Sequence, residues 1–338
     1  MSLQQRFLMV GVSSALFLSA HLVASRVLAQ LNQTAKPTPP AAPAPAQNAP
    51  ARPALTNPKQ QAFLRFMDAR RLRAEMQSRR EIDPKLLDQV IEAYRDTLWL
   101  DPQAAEPRVG LGELYFYFKN DPRSAEREAL EAIKYDSNCV GAHLLLGRLS
   151  IAVVKFENQT EQQVKAQLTR AQREFETVVK LDGSVAEAWA LLAELYRMNN
   201  DTAKRLQALE HWASAPLPSE QNFFYWLTNS NLTPDQAFAQ LSEVYLAQGR
   251  RREALEAARR AYEFDPENNE FGRNLVSVLQ AATNSNEELK LYARLAKTAP
   301  SPALEIGYGA ALIRAGRYAE AVEKLQDHAK GDGANNNL

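Results

Sequence analysis

The stretch Asp235–Pro266, DQAFAQLSEVYLAQGRRREALEAARRAYEFDP, decides the fold. In helical register Phe238, Leu241 and Tyr245 fall on one side of its first half, and Ala254, Leu255, Ala258 and Ala261 on one side of its second. Gln248, Gly249 and Arg250 supply a turn between the two halves. Asp265 and Pro266 stop the second helix, because proline lacks the N–H and its ring clashes with the preceding turn. Ser242, Ala254 and Ala258 put small side chains where the two helix axes must approach closely. A lone helical hairpin cannot bury both of its faces, so this one calls for neighbours of the same kind.

Composition agrees with a helical, core-forming protein. The chain has 338 residues, is 45% hydrophobic and 24% charged, and contains only 13 glycines. Forty Lys and Arg balance forty Asp and Glu, so no long-range field draws nucleic acid or anionic lipid to it. Arginines gather at Arg65, Arg70, Arg71, Arg73, Arg79 and Arg80, and again at Arg250–Arg252, Arg259 and Arg260. Glu75, Glu81, Glu253 and Glu256 interleave with them, which is the pattern of a solvated helix face rather than of a nucleic-acid site. Cys139 is the only cysteine, leaving no intrachain disulfide, Cys-rich zinc site or CxxC redox motif.

Outside the repeats, the sequence divides cleanly. Residues 1–29 hold Arg6, an uncharged run from Phe7 to Ser25, Arg26 and then VLAQ, with Val27 and Ala29 placed as a signal peptidase requires ahead of Gln30. The expectation is a signal peptide, with an uncleaved anchor over residues 7–25 as the alternative, since the run is long enough to span a bilayer. Residues 30–60 are rich in Pro and Ala with almost no large apolar side chains, and read as a disordered, extended linker. Residues 331–338, GDGANNNL, read as a disordered tail.

From Gln61 onward the hairpin recurs. A leucine followed by a small residue appears at Leu111–Gly112, Leu146–Gly147, Leu192–Ala193 and Leu241–Ser242, at spacings of 35, 46 and 49 residues. Leu241 to Leu275 and Pro266 to Pro300 are each 34, and Leu275 to Tyr308, which precedes Gly309, is 33. The longer spacings place insertions of 12 and 15 residues, near 156–168 and 213–234. In the first, Val164, Leu168, Ala171, Phe175 and Val178 make one helix stripe. In the second, Phe223, Phe224, Tyr225 and Trp226 are four consecutive aromatics, either packed between neighbouring hairpins or exposed as a partner-binding patch. Thr233, Pro234 and Gln236 then spell a helix start of the capping-box type.

These slots resemble the tetratricopeptide repeat, W-x2-L-G-x2-Y followed by A-x3-F and a closing Pro. Trp189, Leu192, Ala193 and Tyr196 fill the first-helix slots of one unit, Leu111, Gly112 and Tyr115 those of another, and Phe238, Leu241, Ser242 and Tyr245 those of a third. Ala171 and Phe175, Ala254 and Ala258, and Ala321 and Leu325 fill second-helix slots, and Pro102, Pro266 and Pro300 close units. The resemblance covers residues 61–330 and implies an all-α, right-handed superhelical solenoid of about seven hairpins. Val276 replaces the small residue of its unit, so the helices there should sit further apart.

No catalytic, cofactor or metal motif accompanies the repeats. His143, His211 and His328 have no metal-ligand spacing, there is no P-loop or GxSxG, and Gly307 and Gly309 sit in a helical pattern with no strand before them. The chain therefore reads as a non-enzyme without cofactor or metal. The resemblance implies that first-helix positions between the core slots face a concave groove that takes extended peptides or partner helices. Those positions are Glu113, Phe116, Tyr117, Arg148, Glu187, Glu194, Arg197, Glu243, Arg273, Asn274, Gln280 and Arg314, acidic in the middle and basic toward the C-terminus. A ligand with basic, apolar and then acidic character would complement them. The family's clamp for a C-terminal carboxylate uses a Lys and an Asn, and Val109 and Glu113 stand in those places, so that specificity is not supported. The expected role is a scaffold binding other proteins or peptides, not nucleic acid, in the periplasm or envelope of a bacterium during assembly or secretion. The alternative is a non-catalytic accessory subunit presenting substrate to a separate enzyme. The membrane enters only through the N-terminal segment, if uncleaved.

Overall fold

The structure, a computed structural model, describes residues 57–79, 81–154, 159–217 and 232–331, with side chains as far as Gln326. The expected signal segment, nearly all of the linker, residues 332–338 and the aromatics Phe223–Trp226 lie outside the described residues. Among the described residues there are fourteen helices and no strand, so the all-α expectation holds. The chain divides into two compact units, Met1–Asp182 and Gly183–Leu338.

The first unit comprises α1 (Pro58–Ser78), α2 (Pro84–Leu100), α3 (Ala105–Tyr117), α4 (Pro122–Tyr135), α5 (Val140–Val154) and α6 (Glu161–Leu181), packed as three antiparallel hairpins. Each start is fixed locally. Asn57, Asp83 and Asp121 accept backbone N–H bonds at the N-caps of α1, α2 and α4, each followed by a proline whose φ is already helical. Thr160 and Gln163 form a reciprocal capping box at α6. The α6 stripe is as expected: Val164, Leu168, Ala171, Phe175 and Val178 are its buried residues. At Gly147 on α5 an added Cβ would lie 2.5 Å from the Phe175 ring. Tyr94, Leu111 and Leu114 belong to one core cluster, and Ala125, Leu145 and Leu146 to the next, so burial passes from hairpin to hairpin.

The second unit comprises α7 (Ala186–Met198), α8 (Thr202–Ser214), α9 (Pro234–Ala247), α10 (Arg251–Phe264), α11 (Asn269–Ala282), α12 (Ser285–Thr298), α13 (Pro302–Arg314) and α14 (Tyr318–Gly331). One continuous cluster, from Ala254 to Ala321, fills its C-terminal part. The opening stretch forms α9 and α10 with the expected seam: Leu241, Ala254, Ala258 and Ala261 are buried. Its cap departs from expectation. Thr233 stands at the N-cap and Pro234 at the first helical position, but the Thr233 side chain accepts no cap bond. Four of the turns within hairpins use a left-handed residue, Asn200 (φ 57°), Gly249 (72°) and Gly316 (73°) here and Asn120 (51°) in the first unit. The following N–H then bonds back to a carbonyl near the helix end, as in Arg250 to Tyr245 (2.9 Å) and Arg317 to Leu312 (2.9 Å).

α11 and α12 approach each other far less closely than the helices of the other hairpins. The cause is the one anticipated at Val276, doubled by Tyr292 on the facing helix, since neither side chain is small. The space is filled from the next hairpin instead. Gly307 of α13 sits against Val276 and the Tyr292 hydroxyl, and the Tyr292 and Tyr308 rings stack at 5.7 Å.

Candidate functional site

Polar residues on the first helices fall into two groups: those already paired inside the protein and those left to solvent. In the first unit the expected groove charges, Glu113 and Arg148, are paired. Glu113 on α3 receives Arg73 of α1 at 2.6 Å and Arg148 of α5 at 3.4 Å, and all three side chains keep less than a fifth of their surface open. Phe116 packs against the Ala125–Leu146 cluster and tilts against Tyr117 at 4.8 Å. Arg73, counted in sequence only as part of a basic run, therefore belongs with the expected Glu113 and Arg148. His143 is likewise occupied, between Glu174 (2.7 Å) and the Ser137 carbonyl (3.1 Å).

In the second unit the expected residues separate. Glu187 is buried (3% exposed) rather than facing solvent, which corrects its placement on an open groove. Glu194 and Arg197 pair with each other at 2.8 Å. Asn274 lies 2.9 Å from the Ser242 hydroxyl on the neighbouring first helix, so its carboxamide ties two hairpins together. Arg314 donates to Glu288 of α12 at 2.6 Å, and that carboxylate is itself buried. A carboxylate out of water needs its cation, so Arg314 is part of the packing between two successive hairpins.

Sequence reasoning missed Arg205, because it lies in the first turn of a second helix, α8. Its Nη2 donates to Gln240 at 3.1 Å, while its buried Nε has no hydrogen-bond partner. Burial pushes the guanidinium pKa down, and the Glu194 and Glu243 carboxylates oppose that push. Glu243 feels the reverse: crowding by protein raises its pKa, Arg205 pulls it back, and Glu270 and Glu194 add to the rise. A carboxyl raised in the folded state favours folding below its unfolded pKa and loses that contribution as pH climbs through the folded value. Glu243→Gln should thus raise the melting temperature at pH 7 by about 1–2 °C, with the gain vanishing near pH 4. Thermal unfolding of both proteins across that range checks it, and equal shifts at both pH values would contradict it.

What remains open is a regular patch. On α9 the residues Ala239, Glu243 and Leu246 share one side at intervals of four and three; Arg273, Ser277 and Gln280 repeat this on α11, and Ile306, Ala310 and Ile313 on α13. The steps between helices are 34 and 33 residues. α9, α11 and α13 are successive neighbours. Glu243, Arg273, Ser277, Gln280, Ile306 and Ile313 are all exposed, Ile306 at 55% and Ile313 at 47%. Neither Glu243 nor Arg273 makes an ion pair among the described residues. The two isoleucines were absent from the sequence-based set, because apolar residues in a helix read as core.

Among the described residues no three His, Cys, Asp or Glu side chains gather as metal ligands. No family model and no curated protein matches the chain. Among solved structures it is similar to YrrB, described as a TPR protein with an unusual peptide-binding site, at 16% identity over 63% of this chain and 96% of that one, with a TM-score of 0.43. It is similar to PilF of Pseudomonas aeruginosa at 14% identity over 80% and 99% of the two chains, with a TM-score of 0.41. TTC0263, a thermophilic TPR protein of Thermus thermophilus, gives 16% over 65% and 99%, with a TM-score of 0.39. The step of 33 to 34 residues, the slot contacts of Gly147 with Phe175 and of Gly309 with Leu325, and the left-handed turns make this chain a stack of helical hairpins, in a pattern that resembles the tetratricopeptide repeat.

Proposed function

We propose that the chain is a non-catalytic scaffold that holds partner proteins on its first-helix face, acting in envelope assembly or secretion outside the cytoplasm. The carrying observation is the contrast between paired and open charges. Glu113, Glu194 and Arg314 are occupied inside the protein, whereas Glu243, Arg273 and Gln280 are open on one patch with two exposed isoleucines. A surface that leaves opposite charges and large apolar side chains open on adjacent helices is suited to recognition. The extracytoplasmic part of the reading rests on the apolar run Phe7–Ser25 and the Pro- and Ala-rich spacer after it.

The test is in vivo crosslinking and capture of the full chain in its native host, beside Glu243→Lys and Arg273→Glu. Both side chains are exposed, so the variants should fold. Partners lost from either variant at unchanged melting temperature support the reading, and an unchanged partner set removes the patch from it. Recovery of an active enzyme would instead favour the accessory-subunit alternative.

A further inference from the structure

We propose that the patch on α9, α11 and α13 binds a segment of a partner protein in the polyproline II conformation that presents a basic, an acidic and an aliphatic side chain in that order, about three residues apart. This deepens the scaffold reading and rests on it. The order follows the three helices: Glu243 on α9, Arg273 on α11, then Ile306 and Ile313 on α13. Packed helices stand about 8–10 Å apart, and a polyproline II segment rises about 3.1 Å per residue with about three residues per turn, so it turns the same face to a new helix at every third residue. A partner helix lying along α13 would meet the isoleucines but leave Glu243 unmatched.

Each anchor has a physical reason. Glu243 is exposed, makes no ion pair among the described residues, and is held back from its charged form by the crowding of protein, so a cation from outside favours the ionised carboxylate. Arg273 is exposed and forms no ion pair among the described residues, so an incoming carboxylate displaces no internal partner. Ile306 and Ile313 stand seven residues apart on one helix, about 10 Å, with only the Ala310 methyl between them. That leaves a dip for one aliphatic side chain flanked by two others. At Glu113 and Glu194, by contrast, a ligand cation would have to compete with Arg73, Arg148 or Arg197 for an existing bond.

The test is selection of random peptides of about 12 residues on the full chain, followed by anisotropy titration of a labelled peptide carrying Lys, Glu and Leu at every third position. Enriched peptides should show the basic, acidic, aliphatic order in one chain direction. Arg273→Glu should weaken the Lys-Glu-Leu peptide about tenfold and bind a Lys-Lys-Leu peptide better than the native chain does. Ile306→Gln combined with Ile313→Gln should abolish discrimination between Leu and Gly at the third anchor. If selected peptides follow another pattern, or bind Arg273→Glu equally, this inference fails while the scaffold reading stands. If no peptide is enriched and capture in the native host is insensitive to the patch, both fail.

Discussion

Truncating Phe175 to alanine should destabilise the first unit by about 3–5 kcal/mol, because the ring is fully buried on the α6 stripe. Gly147→Val alone should also destabilise. A Cβ there would stand 2.5 and 2.7 Å from two ring carbons, and a ring with no exposed surface has nowhere to go. Overpacking of this kind costs about 1–3 kcal/mol, with the better helix propensity of valine over glycine returning a few tenths. In the Phe175→Ala background the sign should reverse. The valine side chain then occupies part of the space the ring left, so Gly147→Val becomes neutral or stabilising, and the double mutant is more stable than Phe175→Ala. Urea unfolding of the four proteins measures the coupling. Additive effects would mean that the two residues do not share one space, contrary to the packing.

Arg314→Ala should lower stability by about 1–3 kcal/mol, although more than a third of the arginine side chain is exposed, because it strands the buried Glu288 carboxylate. A neutral hydroxyl would replace only part of what the guanidinium supplies there. Tyr292, nearby, has a hydroxyl that is buried without a hydrogen-bond partner, and Glu288 adds to the burial that raises its pKa. Glu288 stands where other hairpins carry alanine, as at Ala254 and Ala321, so Glu288→Ala should be tolerated. In that background Arg314→Ala should cost almost nothing. Calorimetry of the single and double variants decides it, since a surface arginine with a purely recognition role would show a negligible effect in both backgrounds.

The two pairs also show what a sequence can reveal. The repeat, the α6 stripe and the seam of α9 against α10 were legible because burial recurs at the helical period within one short segment. Even the loosened sixth hairpin was legible, since one side chain too large for its slot acts locally. The open patch was legible only in part: Glu243, Arg273 and Gln280 were among the expected positions, but not what set them apart. Glu113, Glu194 and Glu243 are alike in sequence, each an acid just after a small residue on a first helix, and differ only in what reaches them. Arg73 reaches Glu113 from 40 residues away, off the 34-residue step, and Arg205 lies near Glu243 from a second helix. Glu288 could have been found, as an acid in an alanine slot. Ile306 and Ile313 were passed over because their exposure depends on tertiary placement, which hydrophobicity alone does not encode.

The left-handed residue that closes the hairpins has a consequence for how such a chain can change its length. Gly249 and Gly316 hold nearly the same backbone angle and are each followed by arginine, an intervening dipeptide, and then Glu-Ala. Excising residues 250–316 would join Gly249 to Arg317 without altering the conformation required at the splice. The same holds in reverse for duplication. Each such hinge is a joint at which the protein can be shortened or extended by whole hairpins, so the number of anchors offered to a ligand can change without redesign of the individual hairpin.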